Sequence, residues 1–72
     1  MSLRLQKFAP IDREYPIIEI VDDSGNVLFD VSRNEEGVLE MVFHSAIAEQ
    51  VLAYDDFVSL VEQAKTRALQ ED

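Results

Sequence analysis

Apolar and polar positions change rhythm partway along this chain. Between residues 15 and 44 the β-branched and large apolar side chains come in three short runs, at 15–21, 27–33 and 38–44. Two polar loops, Asp22-Asp23-Ser24-Gly25 and Asn34-Glu35-Glu36-Gly37, separate them, each closing on one of the chain's only two glycines. Short runs divided by turns of this kind predict consecutive antiparallel hairpins. From residue 54 onward the period becomes helical. Phe57, Leu60, Val61, Ala64 and Ala68 fall within roughly 100° on a 3.6-residue wheel. Tyr54, Val58 and Leu69 widen that stripe on one flank, and the opposite arc is polar. Asp55 and Asp56 in the first turn, with Lys65 and Arg67 near the end, suit the helix dipole over 54–70. Ala53, at the expected cap, supplies no capping oxygen.

The flanking segments are less regular. Residues 3–8 alternate, with Leu3 and Leu5 on one side, and read as an N-terminal edge strand that ends at Pro10. Pro16 has no backbone donor and belongs at the start of a strand or on an outer edge. Residues 46–52 fit either a short fourth strand or an early helical turn; the alternation of Ile47, Glu49 and Val51 favours the strand. The expected architecture is a single α+β domain over residues 1–72. It has a basic N-terminal segment (1–13), an antiparallel β-meander of three or four strands (15–52), and one C-terminal amphipathic helix (54–70) packed on one face.

Register decides which face the helix covers. In the second hairpin, a type I turn with Gly37 left-handed pairs Val31 with Met41 and Phe29 with Phe43. That face collects Phe29, Val31, Leu39, Met41 and Phe43 as the predicted core. In the first hairpin the same turn would set Glu19 beside Phe29. Burying an unpaired carboxylate costs several kcal/mol. A loop one residue longer, Asp23 to Asn26 with Asn26 left-handed, instead brings Ile18 and Ile20 inward. The opposite face then carries Ile17, Val21, Leu28, Val38 and Val42 among Glu19, Asp30, Ser32, Glu40 and His44. Five aliphatic residues on a nominally solvent-facing side point to the N-terminal segment, a second copy or a partner lying over them.

Charge narrows the functional classes. The net charge is −9, and residues 14–64 hold twelve carboxylates against the single base Arg33. Such a surface repels nucleic-acid phosphate and anionic lipid and attracts basic partners. Absence of cysteine excludes disulfides and thiolate metal sites, and fits a reducing cytoplasm. No apolar run approaches the ~20 residues of a membrane span.

Candidate chemistry is sparse. His44 is the only histidine, opposite Leu28 and diagonal to Asp30, but no recognisable motif places a nucleophile beside it. Asp22-Asp23-Ser24-Gly25-Asn26 offers oxygen ligands without the spacing of an EF-hand loop, and Asp and Asn suit a tight turn for local reasons. Two glycines are too few for a phosphate-cradling loop. No catalytic residue, metal or cofactor is expected. The expected function is that of a small acidic, non-enzymatic protein-binding module, an inhibitor or antidote of a basic protein. Its contact carboxylates would be Asp30, Glu35, Glu36, Glu40, Asp55 and Asp56. The alternative is a structural homo-oligomer, a dimer through the second sheet face or an edge strand.

Overall fold

The computed structural model describes residues 2–70. Four strands, β1 (Arg4–Phe8), β2 (Ile17–Val21), β3 (Val27–Arg33) and β4 (Leu39–Phe43), form one antiparallel sheet in sequence order. A 3₁₀ turn (Ser45–Glu49) leads to helix α1 (Tyr54–Gln70), which packs on β2 and β3. This is the expected α+β meander. The strand expected over 46–52 is instead the 3₁₀ turn, closed by Ile47 N–H donating to the His44 carbonyl and Gln50 N–H to that of Ile47. Here the chain leaves the sheet for the helix layer, and Ala46 and Ile47 pack against the core.

The two β-hairpin loops are built alike. Gly25 and Gly37 have φ of +86° and +81°, and no other described residue has a positive φ. In each loop the first side chain organises the turn. Asp22 Oδ1 accepts from the N–H groups of Ser24 and Asn26, and Asn34 Oδ1 from those of Glu36 and Val38. Such side-chain acceptors are why Asp and Asn open turns. The left-handed Asn26 expected from the sequence is therefore absent.

The correct strand face is recovered differently. Val21 pairs with Val27 but Ile20 pairs with Phe29, so Leu28 is an extra residue in β3, a β-bulge. Both Leu28 and Phe29 then enter the helix-side cluster with Ile18, Ile20, Val31, Ala64 and Ala68. On its other side β3 stays regular, and His44 N–H donates to the Leu28 carbonyl at 2.9 Å, continuing the β3–β4 ladder one pair beyond Phe43. Burial of Ile18 and Ile20 rather than Glu19 holds, and the means is a bulge rather than a longer loop. Leu28, expected on the second face, is a core residue.

A second correction concerns β4. Leu39 is partly buried against the core, but Met41 is 38% exposed and Phe43 56% exposed, although both lie on the helix side of the sheet. Helix α1 sits over β2 and β3, and its centre is made of Ala64 and Ala68, both buried. Those small residues bring the helix close to the sheet and limit its reach sideways.

Two tests follow from this packing. Ile18→Ala should cost ~2–5 kcal/mol in urea unfolding, as expected for a fully buried aliphatic residue, whereas Phe43→Ala should cost about 1 kcal/mol. Equal costs would show that β4 is covered. The second concerns Asp22, whose carboxyl is held below its ordinary value of 3.8, first by the Asn26 backbone N–H and with further help from the Asn26 side chain and the N–H groups of Ser24 and Gly25. A lowered folded-state pKa stabilises the fold above 3.8, and that contribution is lost as pH falls through the folded value. Asp22→Asn, the residue used by the twin loop, should lower the urea midpoint near neutrality and converge with the parent well below pH 3.8.

Candidate functional site

The second sheet face is held together by polar side chains. Glu19 and Asp30 lie directly opposite one another on β2 and β3. Like charges in that position repel. Each carboxylate is met by a donor from an outer strand or its end. Gln6 Nε2 donates to Glu19 Oε1 at 2.8 Å, and His44 Nε2 lies 2.8 Å from Asp30 Oδ2. Such a contact needs one proton between the two atoms, and an imidazole N–H at Nε2 can supply it. Asp30 is nearly buried, its side chain 11% exposed, while His44 is 40% exposed. The imidazole is tied to a carboxylate rather than aimed at a hydroxyl, which makes it a fastener between the end of β4 and the middle of β3.

Arg13 crosses the same face. Its guanidinium donates to Ser32 Oγ and to the Arg33 carbonyl, both at 3.2 Å. Arg33 in turn lies over the Tyr15 ring, 4.0 Å from its centroid. These groups line an open polar cleft of about 630 Å³ with Asp12, Glu14, Asn34 and Glu35. Its two cations are already engaged by the protein and its three carboxylates outnumber them, so the cleft offers little to an anion.

The expected contact carboxylates do not form one patch. Asp30 is bonded to His44 and nearly buried, so it is not available to a partner. Glu35 and Glu36 sit on the β3–β4 turn, beyond Arg33, and Glu40 is exposed in β4. Asp55 and Asp56 lie at the other end, because the first helical turn packs near the start of β3 through the Phe57–Phe29 contact at 5.3 Å. A 17-residue helix is about 25 Å long and separates the two groups.

The apolar second-face set is also divided. Leu28 is in the core, Val21 is buried outside that cluster, and Ile17 is half-buried. Val38 and Val42 remain exposed, as does Phe8 on β1, with the Gln6–Glu19 and Asp30–His44 pairs lying between β1 and β4. The larger apolar exposure is elsewhere. Met41 and Phe43 on the helix side of β4 are accompanied by exposed Tyr54, Val58 and Leu69 on one flank of α1. The other flank, through Leu60 and Gln63, adjoins Leu3 ahead of β1, so the exposed flank is the one turned toward β4. The narrow alanine centre of the helical stripe is the sequence signal that could have disclosed this gap.

Among the described residues no group of acidic, histidine or cysteine side chains is placed to hold a metal ion, and no helix is long and apolar enough to cross a membrane. No protein-family model, curated protein or solved structure matches this chain.

A fastening role for His44 makes a specific prediction. His44→Ala should cost ~1–3 kcal/mol, because it strands a carboxylate shielded from water. Adding Asp30→Asn should restore part of that loss in urea unfolding. A double variant no more stable than the single one would remove the proposed role.

Proposed function

We propose that this chain is a small, acidic, non-enzymatic protein-binding module whose partner is a basic protein, in the manner of an inhibitor or antidote. The observation that carries the reading is the pairing of charge with anchors at one end of the molecule. Exposed Asp55 and Asp56 follow directly on Tyr54, which is 79% exposed, and exposed Val58 stands one helical turn further along the same flank. Carboxylates at a rim accelerate encounter with a cationic surface, and exposed aromatic side chains are what such encounters convert into slow dissociation. The net charge of −9 works in the same direction over longer range. Lack of cysteine suits a cytoplasmic setting for such a module.

Capture from a lysate of the native cell at about 50 mM and about 500 mM salt tests the reading, since screening shortens the range of these charges several-fold. The expected outcome is a basic protein retained at low salt and released at high salt. Its binding to the purified chain should weaken about tenfold in Asp55→Asn/Asp56→Asn, mainly through the association rate. Recovery of no basic protein, or a partner indifferent both to salt and to these substitutions, overturns the proposal.

A further inference from the structure

We propose that a second copy of this chain pairs with β4, edge to edge and antiparallel, joining the two sheets into one of eight strands. The inference is independent of the acidic-partner reading, because Asp55 and Asp56 lie in the first turn of α1, with Asp56 on the flank beside Leu3, and not on β4.

The first support is the hydrogen-bonding state of β4. Asn34 N–H bonds to the Val38 carbonyl and His44 N–H to that of Leu28. In an antiparallel ladder this phase turns Val38, Glu40, Val42 and His44 toward β3. The N–H and C=O groups of Leu39, Met41 and Phe43 therefore point outward, and β4 is the last strand of the sheet. The groups left free at the edge belong to the residues whose side chains are incompletely covered by the helix.

The second support is the contrast between the two edges. Natural sheets protect open edges with charged side chains, lysine above all. Strand β1 carries Arg4 and Lys7. Strand β4, Leu-Glu-Met-Val-Phe, carries one charge and large apolar residues on both faces. On a chain of net charge −9 this is the strip where two copies meet with least repulsion.

Register completes the argument. Centring the pair on Met41 sets it against the partner's Met41, and Leu39 against the partner's Phe43. All three outward-facing residues then exchange both backbone bonds, and each Glu40 faces a valine. Centring on Glu40 would oppose two carboxylates. Centring on Leu39, Val42 or Phe43 would leave part of the strand without a partner. The self-complementary choice is the one a two-fold dimer requires, and it closes, so growth stops at two copies.

Sedimentation and light scattering of the full chain at about 10–100 μM should give twice the 8.2 kDa chain mass. The dimer should tighten with added salt, as like-charged copies are screened, opposite to the behaviour of a basic partner. Met41→Lys sets two ammonium groups opposite one another and should weaken pairing about 100-fold with an unchanged far-UV spectrum. Because the chain has no cysteine, Met41→Cys should cross-link through a short bismaleimide, while Phe8→Cys on β1 should not. A monomeric mass throughout, a Met41→Lys protein that still dimerises, cross-linking at Phe8 equal to that at Met41, or species growing beyond two copies would each overturn the pairing. None of these results bears on capture of a basic protein.

Discussion

One helix must serve four strands, and most features of this molecule trace to that mismatch of width. Neighbouring strands lie about 4.8 Å apart, so four of them extend roughly 15 Å between the outer axes. A helix with its side chains is about 10–12 Å across. It can cover two strands well and the neighbouring ones only in part. Helix α1 takes β2 and β3, where Ile18, Ile20, Leu28, Phe29 and Val31 are concentrated. On the β1 side Leu3 and Leu5 fold in beneath the helix flank. On the β4 side Met41 and Phe43 extend past its reach. Phe43 still touches the core, its ring centroid 5.9 Å from that of Phe29, but most of the next layer that would bury it is missing.

The same economy governs the uncovered face. Without a second layer, β2 and β3 present polar residues there, and the register sets Glu19 against Asp30. Each is compensated laterally, by Gln6 from β1 and by His44 from the end of β4. The bulge at Leu28 belongs to this arrangement. It brings the apolar side of β2 beneath the helix without disturbing the ladder on the other side of β3, where the backbone N–H of the same His44 bonds to Leu28. One residue therefore extends the β3–β4 ladder through its main chain and meets the nearly buried carboxylate through its ring.

Much of this was legible in the residues. The helix limits, the order of strands, the N-terminal edge strand and the inward placement of Ile18 and Ile20 all follow from periodicity and from the cost of burying Glu19. What escaped is tertiary. A bulge and a longer loop give β2 the same sidedness, and local composition does not choose between them; only the left-handed Gly25 in the folded chain does. The alternation of 46–52 resembled a strand, but the geometry of leaving the sheet for the helix imposes a turn. The exposure of Met41 and Phe43 depends on where a neighbouring element lies, and hydropathy along β4 says nothing of that. The central alanines of α1 are the one local sign of it: a helix that packs closely covers a narrow strip.

Charge was legible as a total and not as a site. A net charge of −9 is a property of the whole surface, and the carboxylates that compose it have different fates in the fold. Asp22 is consumed by a turn, Asp30 by His44 and Glu19 by Gln6, while Asp55 and Asp56 remain exposed at the helix start. The fold rests on a few buried apolar side chains, and the turns and the polar face take up particular carboxylates for local reasons. A partner drawn by charge would meet only those that remain. A carboxylate's availability is therefore set by the donors that the fold brings to it, and those donors come from other strands and loops, out of reach of any reading along a single segment.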